Sequence, residues 1–231
     1  INYCQISSRD ATVTNTQDAS DAAGKKSEMA HQLAVMAKAL KRDMETALCS
    51  KVAKNAGAAA TVRQTGGFET WTETTVSRGT GGSGAGNGAA PVDGTARAFS
   101  ETILKAVQQL CFANGGEPSM LIVGPHVKGV VSGFSGRTSV TQTVDANTVE
   151  ASVAIYAGDF GELKVVPSNF SRARSALFVD PNYAKTCFLR DFDTIDIATI
   201  GDAITKMLVV EFGLEVSNEK AHGIAADLST S

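Results

Sequence analysis

Residues 20–57 read SDAAGKKSEMAHQLAVMAKALKRDMETALCSKVAKNAG. Met29, Leu33, Met36, Leu40, Met44 and Leu48 recur at spacings of three and four, which lines one face of a helix with apolar side chains. Ser20-Asp21 offers an N-cap and a first-turn acid, and Gly57 closes the stretch. The spacing predicts a helix over Ser20–Asn55, a rod of about 50 Å at the usual helical rise. That is unusually long for a domain of this size. The three methionines on the stripe read as core packing.

On the N-terminal side, residues 1–17 (INYCQISSRDATVTNTQ) are rich in Thr, Ser, Val and Ile with partial alternation, as in an extended ribbon. On the other side, residues 56–79 (AGAAATVRQTGGFETWTETTVSRG) read as one or two strands around Trp71, followed by a glycine-rich passage. A second helix starts after Ser100 as N-cap, with Phe99 and Leu104 spaced as a hydrophobic staple. Ile103, Leu104, Val107, Leu110 and Cys111 form its apolar face, and Asn114-Gly115-Gly116 ends it. PSMLIVGP is a short apolar run and predicts a buried strand. HVKGVVSGFSG follows as a short helix or turn, and TSVTQTVDANTVE as a polar loop. ASVAIYAGDFGELKVVPSNF predicts two strands joined at Gly-Asp-Phe-Gly. SALFVDPNYAKTCFLRDF adds two more strands, and KMLVVEFGLEVSNEKAHGIAADLS one long strand. The fold class is α+β.

The totals narrow the function. With 231 residues, 43% hydrophobic and 19% charged, the chain can bury a core. A net charge of −3 provides no global basic field toward nucleic acid or anionic membrane. Charge is uneven, however: residues 21–55 carry six Lys and one Arg against four acids, and 189–231 carry three bases against eight acids. Opposite signs so placed can attract across a subunit contact. Cys4, Cys49, Cys111 and Cys187 are far apart and form no C-x-x-C pair, so buried or free thiols and a cytosolic folding environment are expected. No apolar run approaches the roughly 20 residues of a membrane span. The chain opens on INYCQI, without Met or a signal-like segment, and is expected to be a piece of a longer product.

Within residues 77–91 (SRGTGGSGAGNGAAP), GTGGSG spells G-x-G-x-x-G. That pattern holds a pyrophosphate only where it follows a strand and opens a helix. Here about fifteen residues separate Gly84 from the Ser100 helix, no acid stands at the dinucleotide distance, and no Lys-Ser or Lys-Thr completes a P-loop. Six of the ten residues Gly79–Gly88 are glycine, so a chance match is almost assured. A flexible loop between two lobes is the better reading; the alternative is a nucleotide-binding enzyme using Gly79–Gly88. His31, His126 and His222 are isolated and lack metal-ligand spacing; His31 reads as a packed or rim residue and His222 as structural. Neither Ser135 nor Ser83 sits in G-x-S-x-G. The alternating acids of DFDTID (Asp191, Asp193, Asp196) read as the solvent face of a strand. No catalytic, cofactor-binding or metal-binding residues are assigned. Arg172 and Arg174 in NFSRARS have the alternation that suits bidentate contact with a phosphate or a carboxylate, as well as that of a solvated turn.

The order of parts is more telling. An extended ribbon, a very long helix, a glycine-rich passage, then GGEPSMLIVGPHVKGVVSGFSG, FGELKVVPSNFSRARSALFVDP and LVVEFGLEVSNEKAHGIAADLS resemble the major capsid proteins of tailed bacteriophages. The likeness is to the Hong Kong ninety-seven type fold, in its SU-ten-like branch, and covers nearly the whole chain. The resemblance implies that residues 1–19 are the returning strand of an extended loop. It implies a peripheral domain from 20–97, with a spine helix and the Gly-rich loop, completed by returning strands 190–231, and an axial domain from 98–189. Relatives carry an N-terminal arm and the outgoing side of the loop before this point. The implied function is a non-enzymatic subunit assembling through hexamers and pentamers into an icosahedral shell around double-stranded DNA, contacted without sequence readout. The shell would be a virion component built in the host cytoplasm, with no membrane partner; portal, scaffold and decoration proteins are further candidate partners. Candidate contacts between subunits are Arg9, Lys38, Lys41, Arg42, Arg172 and Arg174. A tail-tube or decoration protein is the third reading, and the long helix counts against it.

Overall fold

The computed structural model describes residues 1–20, 24, 27–84, 86–134, 155–198 and 201–230. In chain order the elements are β1 (Gln5–Thr14), α1 (Asn15–Ala19), α2 (Glu28–Leu48), β2 (Val76–Ser77), α3 (Glu101–Ala113), β3 (Met120–Val123) and α4 (Pro125–Ser132). There follow β4 (Ile155–Gly158), β5 (Gly161–Pro167), β6 (Ala176–Val179), β7 (Ala184–Ile197), β8 (Ala203–Val216) and β9 (Gly223–Ala225). The α+β class stands.

Two sheets organise the chain. The first has three antiparallel strands in the order β1-β8-β7. Its centre, β8, is buried continuously from Leu208 to Leu214, which is why MLVVEFGL reads as an unbroken apolar run and not as an alternation. α2 lies on one face. Leu40 and Met44 from the helix meet Leu208, Val210 and Phe212 from β8, while Met29, Leu33 and Met36 meet Ala11 and Val13 from β1. Each such large side chain taken out of water contributes about 1.5–3 kcal/mol, so the stripe that defines the helix also fastens it to the sheet. β7 is an edge strand, exposed along nearly its full length, with two register shifts between Phe188 and Asp193.

The second sheet has six strands, β2-β9-β6-β3-β5-β4, parallel at β2–β9 and β3–β5 and antiparallel elsewhere. α3 covers it: Leu104, Val107 and Cys111 share one core with Leu121, Val123, Leu163 and Phe178. The Ser100 hydroxyl accepts from the Ile103 N–H, and Phe99 and Leu104 are both buried, as the capping pattern predicts. A shared cluster joins the two sheets, with Leu214 of β8 packed beside Leu177 of β6, Ile224 of β9 and Phe68.

Three expectations need correction. The long helix covers 21 residues, Glu28–Leu48, and not Ser20–Asn55, so it is about 32 Å long. Its cap is Ser27, whose hydroxyl accepts from Ala30, and residues 15–19 form the separate α1, capped by Thr14. At the other end the backbone of Lys54 and Asn55 bonds to Gly88 and Gln64 instead of continuing the i–4 ladder. Of the one or two strands expected around Trp71, only the short Val76–Ser77 forms: Phe68–Thr70 is a 3-10 turn, and the segment before it pairs only at the isolated bridges Asn55–Gln64 and Ala58–Thr61. The tail holds two strands, β8 and β9, parted by a short 3-10 turn at Glu219–Ala221. The polar loop expected at 138–150 lies outside the described residues.

Candidate assembly surfaces

Six basic residues were singled out by sequence, and the fold uses them in two ways. Arg172 is largely covered and faces its own chain: its guanidinium pairs with Glu69 at 3.0 Å and Asp93 at 2.6 Å. Glu69 is fully buried, and Asp93 also takes the Lys51 ammonium at 2.6 Å. Burial pushes the Asp93 carboxyl up, but the hydrogen bonds from Lys51 and Arg172 outweigh it and hold the group below the ordinary carboxylate value. Arg174 donates to the Gly94 carbonyl at 3.2 Å and lies 3.9 Å from the buried Asp227. Of the two uses open to this arginine pair, the chain's own carboxylates occupy both residues.

The other four lie on the sheet-and-helix layer. Arg9 on β1 pairs with Asp43 on α2 at 2.6 Å, tying strand to helix across an exposed edge. Lys38, Lys41 and Arg42 form a ridge on α2, and none has a carboxylate within ion-pair distance among the described residues. Lys41 instead stands 5.6 Å over the ring of Phe192, and Arg42 is 5.8 Å from the ring of Phe170.

Sequence reasoning missed a second arginine device. Glu211, in the middle of β8 and nearly inaccessible, is held by Arg190 of β7 at 3.0 Å and by Arg63 from the segment between α2 and β2. Arg63, Arg190 and Glu211 are far apart in the chain, and only the lone acid inside an apolar strand run signals that something must neutralise it.

The glycine-rich loop is not a free linker. Ser83 and Val92 pair across it, Gly88 accepts from Lys54, and Asp93 is fixed as described. A Cβ on Gly94 would come 2.5 Å from the Gly79 carbonyl oxygen, so these glycines allow two backbone segments to touch. The Gly79 N–H, which a phosphate would need, donates to Asp227 at 3.0 Å. The next helix starts only at Glu101. The geometry therefore does not make a pyrophosphate cradle.

His31 is exposed on α2, whereas His222 is fully buried, edge-on to Phe68 at 5.1 Å, its Nδ1 accepting from the Asp180 N–H. No cluster of three or more potential metal ligands occurs among the described residues. No helix among them is long and apolar enough to cross a membrane. Among the described residues, the exposed features include the α2 ridge and strand β7, where Phe188, Leu189, Ile195 and Ile197 meet solvent.

A family model described as SU10 major capsid protein matches residues 1–229. No curated protein matches the sequence. Among solved structures, the cyanophage A-1(L) capsid asymmetric unit superposes with a TM-score of 0.62 at 12% identity, over 98% of this chain and 78% of that one. The holo-SrpI encapsulin complex of Synechococcus elongatus PCC 7942 gives 0.62 at 8% identity, over 99% and 75% of the two chains. The satellite phage P4 procapsid, which includes a size determination (Sid) protein, gives 0.60 at 9% identity, over 99% and 73%.

Proposed function

The chain belongs to the SU10 major capsid protein family and is a structural subunit of a phage capsid shell, and from that premise we propose how its parts serve the shell. α2 acts as the spine of a peripheral domain made of residues 20–97 and 190–231, with residues 98–189 as the axial domain and 1–19 as the returning strand of an extended loop. The observation that carries this reading is the three-stranded sheet with α2 fastened along it: strands from both ends of the chain meet on one long rod. A rod braced in this way resists bending, which a closed shell requires of each subunit, while the second sheet and α3 form a separate packed wedge.

Copies associate as hexamers and pentamers into an icosahedral shell, assembled in the host cytoplasm, that encloses double-stranded DNA. Contact with the DNA is sparse, non-specific and salt-sensitive, since the chain carries a net −3. Portal, scaffold and decoration proteins are the further partners such a shell would meet. Arg9, Lys38, Lys41 and Arg42 serve contacts between copies, and Arg172 and Arg174 hold the surface beneath them in shape. Negative-stain electron microscopy of the complete gene product, with light scattering, tests the reading. Closed particles tens of nanometres across, or rings of five and six, are expected; a stable monomer or dimer at every salt concentration would overturn self-assembly.

A further inference from the structure

Two groups of opposite charge, one on α2 and one on β7, do not pair with each other. On α2, Lys38, Lys41 and Arg42 have no carboxylate partner among the described residues. Lys38 and Arg42 are four residues apart, a like-charge spacing that an isolated helix disfavours. On β7, among the described residues the Asp191 and Asp193 carboxylates bond only the backbone N–H of the residue that follows each, at 2.7 and 2.8 Å. Neither has a cation within ion-pair distance among the described residues.

Beside Lys41 runs an apolar groove of about 320 Å³ between α2 and β7, lined by Met44, Leu48, Phe188 and Phe192. Beyond the groove, the outer edge of β7 pairs with no strand among the described residues, and Leu189 is 65% exposed on it. An unpaired edge of this length with exposed apolar side chains normally has to be covered.

We propose that the α2 ridge of one copy docks on the β7 edge of the next, Lys38 and Arg42 meeting Asp191 and Asp193, with Leu189 and Phe188 at the apolar centre of the contact. The proposal rests on the shell reading and names the surfaces through which it is built. A second copy fits better than nucleic acid, because a polyanion would leave the acids of β7 and its unpaired apolar edge uncovered. A second copy brings both signs and satisfies both groups. The two patches differ, so the contact is head-to-tail, and head-to-tail contacts close into rings when the rotation permits.

Charge reversal tests this in the full gene product, with circular dichroism to confirm folding. D191K/D193K and K38E/R42E are each expected to cut the assembled fraction, read by light scattering and electron microscopy, by about ten-fold or more, since like charges then face each other. The four-fold variant is expected to assemble again. K38C combined with D193C is expected to give a ladder of oxidised covalent oligomers that neither substitution gives alone, which keeps the test open if a reversed variant misfolds. Normal assembly of either reversed pair, failure of the folded four-fold variant to recover, or particles without the ladder overturns the pairing. So does a K38E/R42E shell that forms normally but retains less DNA, because the ridge then faces nucleic acid. If the unsubstituted product forms no particles at all, the shell reading itself fails.

Discussion

Gly79 and Gly94 lie back to back, and a side chain on either would run into the other segment's backbone. Gly79→Ala is therefore expected to lower stability by about 3 kcal/mol in urea unfolding, the cost of overpacking a site that cannot open. Gly81, at φ +83 with open space around it, should lose only about 1 kcal/mol as alanine. Gly84 meets ordinary contacts at 3.5 Å and should change by less than about 0.5 kcal/mol. A pattern match cannot rank these three glycines, because it records identity and not what stands opposite the Cα. His222 is a second case. Burial pushes its imidazole below the ordinary 6.5, so the native state stays neutral while the unfolded chain takes up a proton. Its contribution is present above that value and is lost as pH falls toward the lowered native pKa. The urea midpoint is expected to drop as pH falls from about 7.5 to about 5, with a shallower slope in His222→Gln. If the two slopes coincide, the acid sensitivity belongs to another group.

At the scale of elements, what the sequence reveals depends on where the hydrogen bonds go. α3 was legible end to end, because its cap, staple and apolar face are all local. Ser100→Ala is expected to cost about 1 kcal/mol by thermal or urea unfolding, the usual worth of a serine cap. The stripe of α2 was legible, but its ends were not: Gly24 and Ser27 interrupt the start, and the last residues of the predicted rod bond to Gly88 and Gln64. Leu40, fully buried at the middle of α2 against β8, should cost about 2–5 kcal/mol as alanine. A smaller loss would mean that the helix is free to settle onto the sheet. The stretch around Trp71 has strand-like composition but pairs only at Val76–Ser77, because Gly67 and Thr70 build a turn before it and the Gly66 N–H goes to Asn2.

At the scale of the whole molecule, Arg172 joins parts that the chain keeps far apart: the 3-10 turn through Glu69, the glycine-rich loop through Asp93, and through Asp93 also Lys51 just past α2. Arg172→Ala leaves Glu69 buried without a cation, and a loss of about 3–5 kcal/mol is expected by denaturant unfolding. Because the cluster around Leu214, Leu177 and Ile224 is common to both sheets, parent and variant should each unfold in one transition. Two separate transitions would show that the sheets are independent. By itself, the sequence determined the α+β class, the long amphipathic helix, the second helix with its cap, the buried strands and the likeness to capsid proteins. The first four rest on periodicities and local signals that neighbouring residues carry, and the likeness is a resemblance carried by several stretches matching in order. Only the tertiary structure decided that β8 is central and β7 an edge, that Arg172 faces inward while Lys38 and Arg42 have no carboxylate partner among the described residues, and that the glycine-rich loop is bound down. Those outcomes depend on residues tens to hundreds of positions apart, whose charges and backbones meet only after the two sheets have packed.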